Sequence, residues 1–237
     1  MPDFPATRRE IIRSYNLLVA GIDDRATAER GRAYGGVIRA AKGKLVESIA
    51  PHIIGLAWQE HGGDLERLSF GDVKTYRIPI QQDYVERLPE DVRQYVEARM
   101  HEYVYRAQVD VHVFVEGSFA LGMECKAYTE NAMLKRILVD FRLLKSIHPD
   151  LICCLLQLES QLGGEYSMPL ASPQIGSTRS HTLMSYFPEV GLDVITLLEG
   201  ERRVDQPIHH ADHFKELVPA HLDHAIDQIG ALLEVHI

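Results

Sequence analysis

Two carboxylates and one lysine lie at short intervals near the middle of the chain. Asp110 lies in the segment QVDVHVFVE, and Glu124 and Lys126 lie in the segment LGMECKAY that follows it. Both segments alternate between apolar and polar residues, which is the period of a β-strand. Side chains on a strand alternate between its two faces, so Glu124 and Lys126 share a face, and a hairpin brings Asp110 beside them. The sequence therefore predicts two carboxylates and one ammonium group in a small volume.

The chemistry of such a group starts from the repulsion between its carboxylates, which a cation between them relieves. Mg²⁺ is suitable because it prefers oxygen ligands and is commonly held by one or two carboxylates together with substrate phosphate oxygens. Lys126 then lies where it orients or deprotonates a water molecule, or stabilises negative charge in a phosphorane-like transition state. These are requirements of phosphodiester hydrolysis. The alternative is a surface hairpin with a solvated polar face, because a D…ExK pattern is short and often occurs by chance.

The elements around these residues predict an α/β fold. Strands are expected over 108–116 and 121–128, followed by a helix over 130–147 that ends before Pro149. The apolar run LICCLLQL at 151–158 is typical of a central strand that is covered on both sides. A helix that connects this strand to the hairpin is a crossover, so we expect a central mixed β-sheet flanked by α-helices.

The remaining elements are predicted from periodicity and from glycine and proline positions. Helices are expected over 7–18, over 24–60 as either one helix or two helices with a break near Gly35, and over 90–105 and 214–235. Further strands are expected over 76–80 and 192–198. No repeat or convincing linker is present, so we expect one domain over 1–237.

The composition excludes several classes of protein. The chain has 237 residues and a formal net charge of −9, with a pI near 5.7, so it is not a polybasic, histone-like protein. It has no apolar run long enough to span a bilayer, no apolar signal-peptide segment and no CxxC pair among its three cysteines. We therefore expect a cytoplasmic protein without disulfides.

The segment from Asp110 to Lys126, DVHVFVEGSFALGMECK, resembles the PD-(D/E)xK nuclease superfamily and, within it, the type II restriction endonucleases. The resemblance covers about 37–160 and includes the order helix, strand with Asp, strand with ExK, helix, strand. It implies that Asp110 and Glu124 bind a metal with the main-chain carbonyl of Cys125, that Lys126 is the catalytic lysine, and that Glu47 is the acidic residue of the first helix. Val109 replaces the family's proline, and Asp72 is an alternative first acid.

The resemblance also implies the activity and the division of the chain. The expected activity is Mg²⁺-dependent hydrolysis of double-stranded DNA at a specific sequence by a homodimer, with Mn²⁺ as a substitute metal. A helical N-terminal part over 1–60, a catalytic core over 108–160, and a recognition loop, edge strand and C-terminal helix over 161–237 would make up the nuclease domain. Two alternatives are a structure-specific or repair and recombination nuclease of the same fold, and an inactive DNA-binding or assembly protein.

Positive charge is concentrated in one part of this acidic chain. Between Arg25 and Lys44 six basic residues are opposed only by Glu29, which favours phosphate binding over a merely solvated helix face. The helix over 130–147 and a polar loop over 172–182 supply further candidates. The residues expected to contact DNA are Arg30, Arg32, Arg39, Lys42, Lys44, Lys135, Arg136, Arg179 and His181. The histidines between His209 and His224 suggest zinc, but their spacing matches no known site, so surface or capping roles are favoured.

Overall fold

A five-stranded mixed sheet lies at the centre of the computed structural model, which describes residues 7–26, 32–71, 75–167, 175–208 and 210–237. Within these ranges, the side chains of 18, 20–26, 32–40, 165, 167 and 211 are not described. The strands are, in spatial order, β1 (Leu68–Phe70), β4 (Val111–Val115), β5 (Ser118–Glu130), β6 (Ile152–Gln161) and β7 (Asp193–Thr196). β1, β4 and β5 pair antiparallel, whereas β5, β6 and β7 pair parallel. The predicted central mixed sheet is confirmed.

Helices cover both faces of this sheet. Apolar residues of α1 (Arg8–Ala26), α2 (Arg32–Glu60) and α7 (Pro219–Leu233) form one hydrophobic cluster with the sheet. On the opposite face α5 (Asn131–Lys145) forms a second cluster, with α6 (Thr178–Met184) beside it. β6 contributes to both, since Leu155 belongs to the second cluster and Leu156 to the first. No helix in the described ranges is both long and apolar enough to cross a membrane.

The β4–β5 hairpin and the crossover to β6 were both predicted, and both are confirmed. Glu116 and Gly117 form the hairpin turn with φ angles of 51° and 80°. Two positive φ angles in a two-residue loop match the twist of the paired strands, and glycine adopts such an angle without strain. The helix α5 then connects β5 to the parallel strand β6.

A small antiparallel ribbon, formed by β2 (Tyr76–Pro79) and β3 (Val104–Ala107), packs against α5. The prediction of a helix over 90–105 was wrong in its second half, because α4 spans only Glu90–Glu97. Val104 to Ala107 instead pair with β2 and bury Ala107 and Ile78. The remaining short helix, α3, spans Gln82–Val85.

Other boundaries also differ from expectation. The closing helix begins at Pro219, five residues after the predicted start, because proline lacks the amide and is tolerated only in the first helical turn. Of the two alternatives left open at Gly35, the structure shows the unbroken one, because α2 continues through this residue. The predicted polar loop at 172–182 is partly the helix α6, which Ser177 caps by accepting a hydrogen bond from the Ser180 amide. Asp72, the alternative first acid, lies outside the described residues.

Candidate active site

Asp110, Glu124 and Lys126 meet at one end of the β4–β5 hairpin. Asp110 lies in a bend immediately before β4, while Glu124 and Lys126 occupy alternate positions of β5. The Lys126 Nζ atom lies 2.7 Å from Asp110 Oδ2 and 2.5 Å from Glu124 Oε2. The backbone N–H of Cys125 also donates to Asp110 Oδ2, at 2.7 Å. The structure therefore brings together the three side chains that the sequence pattern singled out.

These three residues line a cleft of about 550 Å³. The end of the ribbon forms one wall with Tyr105, Arg106 and Gln108, and α5 forms the other wall with Met133, Arg136, Ile137 and Asp140. The Tyr105 hydroxyl donates to Asp140 Oδ1 at 2.7 Å, which ties the two walls together. Arg136 Nε lies 3.8 Å from Asp140 Oδ2. The cleft is therefore lined by Asp110, Glu124 and Lys126 together with one arginine from the ribbon and one from α5.

The pKa values of both Glu124 and Lys126 are raised in this cleft, by burial for Glu124 and by the neighbouring carboxylates for Lys126. Burial raises the pKa of Glu124 to about 7, the Asp110 carboxylate adds to the increase, and Lys126 opposes it. Burial alone lowers the pKa of Lys126, but the carboxylates of Glu124 and Asp110 outweigh burial and the net change is upward. Lys126 is therefore a cation at neutral pH. Two carboxylates share this single ammonium group, so the site favours a further positive charge.

This donor set fits a divalent cation. Glu124 and Asp110 each direct an oxygen to the same Lys126 Nζ atom, so the carboxylates already converge on a point of positive charge. No group of three or more His, Cys, Asp or Glu side chains suited to a metal occurs in the described part of the chain. A cation held here would thus take its remaining ligands from main-chain, water or substrate oxygens, which is the usual arrangement for Mg²⁺.

Glu47 lies on α2 within electrostatic reach of the same site. Partial burial raises the pKa of Glu47, the Asp110 carboxylate raises it further, and Lys126 and Lys44 lower it. Its side chain is exposed. The interaction with Asp110 and Lys126 agrees with the position that the sequence resemblance gave to Glu47.

The N-terminal basic segment is only partly described. Arg30 lies outside the described residues, and Arg32 and Arg39 lie on α2 without described side chains. Lys44 is exposed, as expected for a phosphate-binding residue. Lys42 differs from expectation because it is 8% exposed and packs in the interior. Burial lowers its pKa to about 8, with Glu159 opposing the change and Arg202 adding to it.

Some of the other candidate DNA-binding residues are exposed, whereas His181 already contacts another part of the chain. Lys135 and Arg136 are exposed on α5, and Arg179 is exposed at the start of α6. The His181 ring contacts the carbonyl of Ile175, so this ring is already occupied. Among the C-terminal histidines, His209 lies outside the described residues, and His221 is buried with its Nδ1 3.3 Å from the Leu197 carbonyl.

Sequence reasoning missed three residues of the cleft. Tyr105 was assigned to the helix predicted over 90–105, and Arg106 follows the end of that helix, so the strand β3 that carries both was not predicted. Asp140 lies four positions after Arg136 and three positions after Ile137, and this spacing places the residues on one side of a helix. That spacing was the available signal for Asp140.

Comparison with known proteins gives one strong similarity. The chain is 49% identical over 223 residues to the protein named "Type II restriction enzyme DdeI" from Desulfomicrobium norvegicum, and the alignment covers 92% of each chain. No protein-family model matches the chain.

Proposed function

Because the chain belongs to the type II restriction endonuclease family, we propose that it cleaves DNA in the cleft that holds Asp110, Glu124 and Lys126, with Mg²⁺ as its metal. The protein is an endodeoxyribonuclease that acts on DNA, and enzymes of this type typically need a divalent metal ion. The observation that carries the proposed site is the convergence of both carboxylates on the Lys126 ammonium group in an open cleft.

Each residue of the site has a part that follows from its surroundings. Asp110 is oriented by the Cys125 amide and by Lys126, and together with Glu124 it would supply carboxylate oxygens to the metal. The main-chain carbonyl of Cys125 is our third proposed ligand. A bound Mg²⁺ would polarise the phosphate and lower the pKa of a coordinated water molecule.

Lys126 acts in this proposal as a cation. Its ammonium group contacts both carboxylates, so it lies where it orients a water molecule and donates hydrogen bonds to the charge that develops on the phosphate. Glu47 adds a further carboxylate near Asp110. A phosphate above the carboxylates also faces Arg136 on the cleft wall.

DNA binding and assembly follow from the same proposal. Exposed Lys44, Lys135, Arg136 and Arg179 are proposed to contact phosphates, as are Arg30, Arg32 and Arg39 from the basic segment. We do not include Lys42 and His181, whose side chains are buried or engaged. One active site per chain requires two copies to cut both strands of a two-fold symmetric sequence, so we propose a homodimer. The predicted compartment is the cytoplasm.

The test is plasmid cleavage with and without Mg²⁺. The wild-type protein should give discrete fragments with Mg²⁺ and none after chelation, and Lys126→Ala should bind DNA but not cut it. Lys145→Ala, which removes a lysine outside the cleft, is the matched control and should cut normally. A smear of products would indicate a nuclease without sequence specificity, and wild-type cleavage by Lys126→Ala would show that the site is assigned wrongly.

A further inference from the structure

The β2–β3 ribbon carries an arginine pair that no role described so far explains. Arg77 and Arg106 lie directly opposite each other in the register of the ribbon, and both are exposed. Like charges at directly opposite positions of an antiparallel pair destabilise it. The ribbon therefore holds two positive charges side by side, an arrangement that an anion on this face would stabilise.

The two arginines differ in their present contacts. The Arg77 guanidinium donates to the His101 carbonyl at 3.0 Å. No ion pair or side-chain hydrogen bond joins Arg106 to any other residue of the described ranges. In the same cleft Lys126 contacts two carboxylates and Arg136 faces Asp140. Among the cleft cations, Arg106 is thus the one whose guanidinium has no side-chain partner among the described residues.

The ribbon is fixed relative to the proposed active site. Ile78 and Ala107 are buried on its inner face, which packs on α5, and Tyr105 is hydrogen-bonded to Asp140 of that helix. Arg106 lies between Tyr105 and Ala107, so its backbone position is set from both sides. It lines the same cleft as Asp110, Glu124, Lys126 and Arg136.

We propose that Arg106, with Arg77 beside it, binds a backbone phosphate of the DNA that flanks the cleaved phosphate. This assignment rests on the proposed function of the cleft. A DNA strand that crosses between the walls places one phosphate on the carboxylates and its neighbours beside the two arginines. Guanidinium groups suit this role because they bind phosphate oxygens through two parallel hydrogen bonds. The ribbon then positions the strand without reading its sequence.

The first experiment measures the salt dependence of DNA binding in EDTA, where no cleavage occurs. The plot of log affinity against log salt has a negative slope, and each lost phosphate contact makes this slope shallower by about 0.9. When salt is raised from about 50 to 200 mM, both proteins should lose DNA affinity. The fold-decrease for Arg106→Gln should be about threefold smaller than the fold-decrease for the wild type. Arg106→Lys, which keeps the charge, should retain most of the wild-type slope.

The matched control is Arg99→Gln. It removes the same charge from an arginine that stacks on Tyr95 at 3.9 Å and does not line the cleft. This control should keep the wild-type slope. If Arg99→Gln and Arg106→Gln change the slope equally, the effect reflects net charge alone and the proposal fails.

The second experiment locates the phosphate. Once the wild-type cut position is known, duplexes are made with a neutral methylphosphonate at each single position around it. One flanking position should weaken wild-type binding but have little further effect on Arg106→Gln. Equal losses for both proteins at every position would overturn the proposal, as would an unchanged salt slope in Arg106→Gln.

These results also separate the inference from the proposed function. Cleavage by the wild type, its loss in Asp110→Asn and wild-type DNA binding by Arg106→Gln would reject the ribbon contact and leave the active site in place. Cleavage that survives in Asp110→Asn would reject the active site itself.

Discussion

Two groups in this protein pair a largely buried lysine with carboxylates, and they do so in opposite proportions. The proposed active-site group, called the active-site group below, consists of Asp110, Glu124 and Lys126, with two carboxylates for one ammonium. The second group, which we call the interior cluster, consists of Lys42, Glu159, Arg202 and Lys215. There Lys215 Nζ lies 2.8 Å from Glu159 Oε1, and Lys42 interacts electrostatically with both Glu159 and Arg202.

The ratio of carboxylates to cations in each group determines whether the pKa of its lysine is raised or lowered. Burial opposes the charged form of both lysines, yet the pKa of Lys126 is raised and that of Lys42 is lowered to about 8. Two carboxylates outweigh burial at Lys126, whereas Lys42 shares one carboxylate with other cations. A metal-binding group requires an excess of carboxylate, which the active-site group has, whereas the interior cluster has an excess of cations.

The largest difference should appear in activity. Asp110→Asn keeps the shape of the side chain but removes its charge, and DNA cleavage should fall about a thousandfold, since several kcal/mol of transition-state stabilisation depend on the cation and each ~1.4 kcal/mol is tenfold. Single-turnover cleavage rates measure this loss. Glu159→Gln removes a carboxylate from the interior cluster and should cleave at nearly the wild-type rate when folded. Equal losses of activity in both variants would contradict the distinction.

Stability should show the reverse pattern. Glu159→Gln leaves Lys42 and Lys215 without their shared carboxylate, and removing one partner of a buried ion pair costs about 3 kcal/mol. Urea unfolding measures this cost. Asp110→Asn should lose much less, because it relieves repulsion with Glu124. A Glu159→Gln protein as stable as the wild type would show that this carboxylate does not hold the cluster together.

Metal binding should stabilise the protein through the active-site group alone. At a Mg²⁺ concentration about 100 times its dissociation constant, the free energy of unfolding should rise by about 2.7 kcal/mol. Thermal unfolding with Mg²⁺ and after chelation measures this change. This increase in stability should be lost in Asp110→Asn and in Glu124→Gln. Glu159→Gln should keep it, when measured at a lower temperature at which this variant is folded. An equal Mg²⁺ effect in Asp110→Asn would place the metal elsewhere.

The smallest effect concerns pH and Lys42. The folded-state pKa of about 8 lies below the ordinary value of 10.5, so the unfolded chain binds more protons between these values and stability from this group rises with pH there. Lys42→Met should therefore be more stable than the wild type below pH 8, by on the order of 2 kcal/mol, and this advantage should shrink towards pH 10.5.

Unfolding of both proteins across this pH range measures the difference. Lys44→Met changes an exposed lysine two positions away on the same helix, and its stability relative to the wild type should not depend on pH in this way. A constant advantage of Lys42→Met at all pH values would mean that Lys42 does not titrate as its burial requires.

The same contrast explains what the sequence could predict. The hairpin is determined locally by the alternation of apolar and polar residues over 108–128, and the central strand by the apolar run of β6. The sequence was therefore enough to predict that Glu124 and Lys126 share a face of one strand. The burial of Lys42 could not be predicted in this way. It depends on the packing of α2 against β6 near Glu159, a residue distant from Lys42 in the sequence. The ribbon was missed for a related reason, since β2 and β3 are strands only through pairing across the helices between them.

The bond between the Cys125 amide and Asp110 gives the active site its own spectroscopic reporter. The backbone pairing of β4 with β5 ends at Val111 and Met123, and beyond it the Cys125 N–H donates to a side-chain oxygen instead of a backbone carbonyl. The exchange rate and proton chemical shift of this one amide therefore depend on the charge state of Asp110. In an isotope-labelled sample this amide would report the occupancy of the site without substrate, an attached probe or a substitution.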